Sequence, residues 1–153
     1  MNEDLSTIQA RLQLGNKYAV KYDLDTALVC AVADHESGGW NPWAIRYEPA
    51  FYERYIQPML DNKTLHDLTE ATARSISWGL MQIMGQTARE QGYTGHLAAI
   101  CDPDTGLDLG CQKLKKCIDA TTSVNEALLR YNGGSNPAYP QLVLSLLPKY
   151  QPN

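Results

Sequence analysis

The pattern of apolar positions is densest between residues 24 and 39, where it predicts a buried central helix over residues 25–36. Every residue from 27 to 33 is small or apolar. The helix therefore has no polar face to expose to solvent, and we expect other helices to surround it. Asp25 can accept a hydrogen bond from a free backbone N–H of the first turn. The glycines at 38–39 favour the left-handed backbone that ends a helix.

Helical spacing and capping residues predict further helices. Asp102 before Pro103 combines an N-cap with a proline at the first helical position. Ser123 followed by Glu126 has the spacing of a capping box. The predicted helices cover residues 5–22, residues 86–91, a stretch that opens at Asp102, a stretch that begins at Ser123 and runs to Tyr131, and residues 139–147, which Pro148 closes.

The segment between the central helix and residue 79 is less regular. Trp-Asn-Pro-Trp at 40–43 predicts a turn, because a proline disfavours helix at the residue before it. Short helices are predicted over residues 48–57, ending before Pro58, and between Thr64 and Ile76. We expect the whole segment 46–75 to cover or edge a cleft. Residues 79–84 are the best place for a strand.

Together these elements predict a mainly α fold. We expect a single domain over residues 1–153, built of short helices around the buried central helix, with at most a small β element. A chain of 153 residues is long enough for one such core.

Charge and hydropathy narrow the classes of partner. The net charge is −4 and the chain has no basic tail, which argues against nucleic acid and against an anionic membrane surface. No apolar run reaches the length of a bilayer span, so membrane insertion is not expected. The acidic N-terminus lacks the basic and then apolar pattern of a secretory signal. We therefore expect synthesis in the cytoplasm without a signal peptide.

The cysteines do not predict a metal site. Cys30 lies in the apolar helix and is interpreted as a core residue. Cys101, Cys111 and Cys117 are spaced too widely for a zinc ribbon and have no accompanying histidine pair, so neither metal nor cofactor is expected. A Cys101–Cys111 bridge is conceivable, and four free thiols are the default.

Glu36 is the candidate for acid chemistry. Leu28, Val32 and Glu36 are four residues apart, so the helix directs this acid along its buried stripe. One interpretation is a surface acid at a helix end. The other is a proton donor, since burial raises the pKa of a carboxyl group. Gln82, alone in an apolar run, must likewise find hydrogen-bond partners or face a cavity.

Three motifs occur in order along the chain. They are Glu-Ser at 36–37 followed by Trp-Asn-Pro at 40–42, Gly-Leu-Met-Gln-Ile-Met at 79–84 with Thr-Ala at 87–88, and Tyr-Asn-Gly-Gly at 131–134. In this order, from about residue 24 to residue 147, the chain resembles the soluble lytic transglycosylases of glycoside hydrolase family 23. That family is related in fold to goose-type lysozyme. The resemblance implies a lysozyme-like α+β fold and cleavage of the β-1,4 bond between N-acetylmuramic acid and N-acetylglucosamine in peptidoglycan.

The resemblance also implies roles for individual residues. Glu36 matches the single catalytic acid, which protonates the glycosidic oxygen and then takes the proton of the muramic acid 6-hydroxyl, so that a 1,6-anhydro ring closes without water. The implied substrate-binding residues are Ser77, Gln82, Met84, Tyr131 and Asn132. For two of these residues, the sequence leaves another interpretation open. Backbone groups could satisfy the Gln82 amide instead of the glycan. Tyr131 could be a core tyrosine whose hydroxyl reaches the surface.

The chain departs from the family in the length of the segment between the Asn-Pro turn at 41–42 and residue 79. In members of the family this segment is usually much shorter. This segment carries carboxylates that could face Glu36: Glu48, Glu53, Asp61, Asp67 and Glu70. An inverting hydrolase needs such a second carboxylate roughly 6.5–9.5 Å from the acid. A hydrolysing goose-type muramidase is therefore an alternative to the transglycosylase. A non-catalytic wall-binding or virion structural protein is a third hypothesis.

The short chain, without a signal peptide or wall-binding repeat, is also similar to bacteriophage lysis proteins of this family. That likeness implies a phage endolysin that acts in host lysis, with a virion-carried enzyme equally compatible. We expect a monomer that is made in the host cytoplasm and acts on glycan strands of peptidoglycan in the periplasm or cell wall.

Overall fold

The computed structural model describes residues 4–152 and has the predicted mainly helical, lysozyme-like fold. Residues 1–3 and 153, which the predicted domain 1–153 includes, lie outside the described residues. The helices are α1 (Ile8–Tyr22), α2 (Thr26–Ser37), α3 (Pro49–Phe51), α4 (Gln57–Asp61), α5 (Leu68–Arg74), α6 (Gly85–Glu90), α7 (Pro103–Asp119), α8 (Val124–Tyr131) and α9 (Tyr139–Leu144). A π turn (Tyr52–Ile56) joins α3 to α4, and 3-10 turns cover Leu97–Cys101 and Leu147–Lys149.

Helix α2 is the predicted central helix, and its ends are the predicted ones. Every residue from Ala27 to Asp34 is buried. The Asp25 side chain accepts a hydrogen bond from the Leu28 backbone N–H at 2.8 Å. Gly38 adopts the left-handed conformation at the C-terminus, with φ of 65°. These caps leave Glu36 in the last turn of α2, where the buried stripe meets the surface.

Helix α1 packs directly on α2 through a glycine. A Cβ atom at Gly15 would lie 2.5 Å from the Sγ atom of Cys30, so the residue that interrupts the apolar pattern of α1 is a close helix contact. The helix begins at Ile8 rather than at the predicted residue 5, because Thr7 is its N-cap and accepts from the Ala10 N–H. Helix α7 packs on α1 and α8, and α9 packs on α8 and α2.

The small β element is a three-stranded antiparallel sheet in the order β1 (Ile45–Tyr47), β2 (Ile76–Trp78), β3 (Ile83–Met84). The predicted strand over 79–84 is correct only at its last two residues. Residues 79–82 form the turn between β2 and β3, where Gly79 and Gln82 have φ of 71° and 47°. The Gln82 N–H donates to the Gly79 carbonyl at 3.2 Å. This turn reverses the chain and allows β3 to pair with β2.

The segment between β1 and β2 is helical for longer than predicted. The expected helix over 48–57 does not end before Pro58, and helical backbone continues to Asp61. The π turn places Pro58 in the first turn of α4, where its missing N–H costs no helical hydrogen bond. The helix expected between Thr64 and Ile76 is shorter, because Asp67 caps α5.

An ionic network fixes this segment to α6. Glu70 of α5 accepts from Arg74 at 2.9 Å and from Arg89 of α6 at 2.7 Å. The hydrogen bond from Arg89 is the main reason that the pKa of Glu70 falls to about 2. A small apolar cluster of Ile56, Leu65 and Ala71 lies behind the network. The segment therefore packs against the rest of the fold rather than forming an open loop.

The capped helices in the second half follow the sequence closely. Asp102 caps α7 by accepting from Thr105, and Ser123 caps α8 by accepting from the Glu126 N–H. The Glu126 carboxylate reaches back to Thr122 rather than to the Ser123 backbone. The last helix ends at Leu144, earlier than the predicted residue 147, and Pro148 lies inside the final 3-10 turn.

All four cysteines are buried and free, so the conceivable Cys101–Cys111 bridge is not formed. Burial raises the pKa of Cys30 and of Cys111 to about 12, which keeps both as neutral thiols. In the described part of the chain, no helix has the length and hydropathy that crossing a bilayer requires.

Candidate active site

Glu36 is held at the C-terminal end of α2 by its neighbours in the helix. The adjacent Ser37 is buried and donates its hydroxyl to the Ala33 carbonyl at 2.6 Å. Glu36 as a residue is partly exposed, whereas its carboxyl group is surrounded by protein atoms. The acid is therefore close to the surface but largely removed from bulk water.

Tyr139, the first residue of α9, is the hydrogen-bond partner of this acid. Its hydroxyl donates to Oε1 of Glu36 at 2.5 Å, and only 2% of the tyrosine is exposed. The His35 ring packs edge-on against Tyr139 with centroids 5.1 Å apart. Burial raises the pKa of the Tyr139 hydroxyl, and the charge of Glu36 adds to the rise. The tyrosine therefore stays neutral and remains a donor.

Opposing influences set the proton affinity of Glu36. Burial raises its pKa, and this is the largest influence. The hydrogen bond from Tyr139 lowers it, as do electrostatic interactions with Lys113, His35 and Arg46, and the result is still a raised pKa. Lys113 and Arg46 are cationic, so they favour the carboxylate once the proton has left.

Lys113 is a largely buried cation beside the acid. Its Nζ donates to the backbone carbonyl of Tyr131 at 2.8 Å and lies 4.1 Å from the centroid of the Tyr131 ring. Burial lowers the pKa of the Lys113 ammonium, and the negative charge of Glu36 opposes that shift. Lys113 thus links α7 to the end of α8 and places a positive charge within electrostatic range of Glu36.

The sheet presents a row of three side chains on one face. Arg46 is paired with Ser77, and Ser77 is paired with Met84, so all three residues point to the same side. Arg46 is exposed and forms an ion pair with Glu48 at 2.5 Å. Because Arg46 also influences the pKa of Glu36, this row belongs to the surroundings of the acid.

Gln82 is fixed inside the turn that precedes β3. Its Oε1 accepts from the Ser77 hydroxyl at 2.9 Å, and its Nε2 donates to the carbonyls of Ala44 and Gly79 at 2.9 and 3.0 Å. The structure thus brings the predicted residues Ser77 and Gln82 together. Backbone carbonyls satisfy the Nε2 donor, as the open alternative expected, but the partner of Oε1 is the Ser77 side chain. Little of the amide is left free for a ligand.

Tyr131 and Asn132 close the opposite side, at the end of α8. Tyr131 is 3% exposed and donates its hydroxyl to the Met81 carbonyl at 2.7 Å, so it joins α8 to the turn before β3. The hydroxyl does not reach the surface, contrary to one of the two expectations for this residue. Within residues 4–152, Oδ1 of Asn132 is buried without a hydrogen bond.

Three residues of the site escaped the sequence analysis. Tyr139 was assigned only to an apolar stripe, Lys113 lies among other lysines near the end of a helix, and Arg46 begins an irregular segment. Tyr139 is 103 residues away from Glu36 in sequence. No local pattern marks any of the three, because each acquires its role from a contact between distant elements.

The fold and this arrangement define a lysozyme-like domain with a largely enclosed carboxyl group, that of Glu36, at the end of its central helix. A family model described as "Transglycosylase SLT domain" matches residues 13–141. The chain therefore belongs to this transglycosylase family. It is also similar to a protein called "Transglycosylase" from Enterobacteria phage PRD1, with 30% identity over 120 residues. The matched part is 78% of this chain, but the chain spans only 33% of the phage protein.

The contact between Tyr139 and Glu36 gives a prediction that does not depend on activity. In Tyr139→Phe the carboxylate loses a hydrogen-bond donor, so we expect the pKa of Glu36 to rise further. Titration of carbon-13-labelled glutamate by NMR measures this. Tyr150→Phe is the matched control, because Tyr150 donates its hydroxyl to Asp34 on the same helix at 2.5 Å. We expect the control to leave Glu36 unchanged. An unchanged or lower Glu36 pKa in Tyr139→Phe would contradict the assigned hydrogen bond.

Proposed function

We propose that this protein is a peptidoglycan lytic transglycosylase that cleaves the β-1,4 bond between N-acetylmuramic acid and N-acetylglucosamine. The observation that carries the proposal is the buried acid: Glu36 has a raised pKa, lies at the end of the central helix, and belongs to a chain that the SLT family model matches. An acid with a raised pKa retains its proton nearer to neutral pH, which is the state that a general acid requires.

In the proposed mechanism, Glu36 acts first as an acid and then as a base. Its proton passes to the glycosidic oxygen as the bond from that oxygen to C1 of the muramic acid breaks. The N-acetyl group of the same sugar stabilises the positive charge at C1. The resulting Glu36 carboxylate then takes the proton of the 6-hydroxyl, and O6 bonds to C1 to close the 1,6-anhydro ring. Glu36 ends the cycle protonated, and no water is consumed.

The surrounding residues support this two-stage role. The Tyr139 hydroxyl donates to the same carboxyl group and orients it, and it also stabilises the carboxylate formed after the first proton transfer. Lys113 and Arg46 favour the same charged state through space. Burial acts in the other direction: it favours the protonated carboxyl group, to which Glu36 returns when it takes the proton of the 6-hydroxyl. The site therefore contains groups that favour each of the two states of Glu36.

We assign substrate contacts to the walls of the site. Asn132, a partly exposed residue at the end of α8, contributes a polar contact to the sugar, and Met84 supplies an apolar surface on the sheet. Ser77, Gln82 and Tyr131 shape the site, because their polar groups are already bonded to one another or to the backbone. Those three act on the glycan mainly through the position of the turn at residues 79–82.

Hydrolysis is the alternative chemistry, and it needs a second carboxylate. Asp67 caps α5, Asp61 accepts from Gln57, and Glu70 is engaged by two arginines. Glu48 forms an ion pair with Arg46, one of the charged residues that lower the pKa of Glu36. Should the products prove hydrolytic, Glu48 is the residue to test as the base.

Product mass separates the two reactions. Digestion of purified peptidoglycan should release fragments that end in 1,6-anhydromuramic acid, each lighter by one water than the corresponding hydrolysis product. Mass spectrometry measures the difference directly, and egg-white lysozyme serves as the hydrolytic reference. Fragments that carry the extra water would refute the transglycosylase mechanism and favour the muramidase.

We further propose that the protein acts on the bacterial wall as part of a bacteriophage, either in host lysis or as an enzyme carried by the virion. The likeness to the phage PRD1 protein supports a phage setting. The substrate partner in both cases is the glycan strand of peptidoglycan.

A further inference from the structure

A small pocket lies outside the site described above. It has a volume of about 260 Å³ and is lined by Phe51, Tyr55, Gln86, Thr87 and Glu90. Phe51 and Tyr55 come from the helical segment that follows β1. The other three residues come from α6, which follows β3. The pocket is therefore formed between the helices that continue the two outer strands of the sheet.

The sheet topology connects this pocket to the candidate site. Strands β1 and β3 are each antiparallel to β2, so they run in the same direction and their C-terminal ends lie at the same end of the sheet. The row of Arg46, Ser77 and Met84 lies near that end of the sheet. Gln86 and Thr87 follow Met84 by two and three residues. A chain molecule that crosses the row would continue between the two helices.

The lining combines an aromatic wall with polar groups. The rings of Phe51 and Tyr55 are in contact, with centroids 4.9 Å apart and planes inclined at 47°, and Tyr55 is 49% exposed. On the opposite wall, Nε2 of Gln86 donates to the Glu90 carboxylate at 3.0 Å. Apolar walls with a few placed polar groups are typical of ligand sites. Sugars match this lining, because their C–H faces stack on aromatic rings and their hydroxyls bond to amides and carboxylates.

We propose that this pocket binds one sugar unit of the glycan strand and extends the binding cleft beyond the row of Arg46, Ser77 and Met84. The inference rests on the proposed function, and it assigns a role to part of the segment 46–75, which was predicted to cover or edge a cleft. The volume is below the ~300–1,000 Å³ of pockets that enclose a whole small ligand. It is appropriate for a single unit of a longer polymer.

Charge favours the sugar over the peptide arm of peptidoglycan as the occupant. Peptide arms carry carboxylates, and Glu90 would repel a carboxylate placed in the pocket. Arg74 donates to Oε1 of Gln86 at 3.3 Å and is also bound to Glu70, and Arg89 is bound to Glu70. They are therefore poorly placed to attract a second acid. An uncharged N-acetylated sugar avoids this repulsion.

Binding of N-acetylglucosamine oligomers tests the proposal. In a Glu36→Gln background, which removes cleavage, calorimetry would measure the Kd of oligomers from dimer to octamer. We expect affinity to increase when the oligomer becomes long enough to reach the pocket. Tyr55→Ala should remove this increase, weakening the longer oligomers roughly three- to tenfold while the shorter ones bind as before.

Two further variants make the test specific. Tyr47→Ala is the matched control, because Tyr47 is 47% exposed and does not line the pocket. We expect it to bind every oligomer like the parent. Gln86→Ala removes a polar group from the opposite wall and should weaken the same long oligomers as Tyr55→Ala.

Three results would overturn the proposal: equal affinity of Tyr55→Ala and its parent at every length, an equal loss in Tyr47→Ala, or a Tyr55→Ala defect that appears when the same calorimetry uses peptide-bearing glycan strands but not with the N-acetylglucosamine oligomers. The last result would assign the pocket to the peptide arm. Failure of the proposed function would be distinguishable, because it would appear as wild-type protein that leaves peptidoglycan uncut. The length dependence of binding is measured without cleavage.

Discussion

Glu36→Gln is expected to lower the rate of peptidoglycan cleavage by at least the ~10²–10⁴-fold that general acid catalysis contributes. The amide keeps the volume of the side chain and can accept the hydrogen bond from Tyr139, but it has no acidic proton to give to the glycosidic oxygen. The effect should fall on kcat, because proton transfer belongs to the reaction step and not to the binding of the glycan. Release of soluble fragments from purified cell wall measures the rate.

Asp119→Asn is the control for this variant. It also converts a carboxylate to an amide, but the Asp119 side chain is 61% exposed and pairs with Lys115 on the surface. We expect the control to keep full activity, and both variants to unfold at the temperature of the wild type. If Glu36→Gln cleaves the wall undiminished, the catalytic assignment is wrong. The non-catalytic wall-binding or virion protein would then be the better interpretation.

Gly79→Ala is expected to destabilise the fold by at least ~2 kcal/mol, because strain and steric overlap act together. Gly79 has φ of 71°, which disfavours any side chain, and a Cβ atom there would lie 2.5 Å from the backbone carbonyl oxygen of Ile100. For a chain of this size the change corresponds to a fall of about 4–8 °C in Tm, which a thermal unfolding measurement would show.

Gly92→Ala separates the two causes. Gly92 also has a positive φ, of 89°, but no atom lies within 4 Å of the position that its Cβ would occupy. Only the backbone strain remains, so we expect a loss of roughly 1 kcal/mol. Equal losses in the two variants would show that the contact with Ile100 does not matter. A larger loss in Gly79→Ala would confirm that the turn before β3 needs this close backbone approach.

The turn is also where the structure explains the motif at residues 79–84. The backbone of Gly79 donates to the Ala44 carbonyl at 2.8 Å, the Gln82 side chain donates to the same carbonyl, and the Met81 carbonyl accepts from Tyr131. Gly79 lies in a close backbone approach, because a Cβ atom there would be 2.5 Å from the Ile100 carbonyl oxygen. The prediction of a strand across the whole stretch is wrong, because two positive φ angles reverse the chain there.

Local interactions account for what could be predicted. Helix α2 and its caps at Asp25 and Gly38 depend on contacts within a few residues, and so do the starts of α7 at Asp102 and of α8 at Ser123. The failures occurred where the structure depends on distant partners. Strand β1 has no strand pattern of its own and exists because β2 pairs with it.

The sequence by itself determined the central helix, the position of Glu36 in its last turn and the order of the motifs that mark the family. Only the tertiary structure decided what surrounds that acid: the hydroxyl of Tyr139, the charge of Lys113, and the row of side chains across the sheet. The physical reason is the distance along the sequence over which each interaction acts. Helix formation and capping are settled between residues three or four apart, whereas burial, and with it the pKa of Glu36, depends on which distant elements pack together.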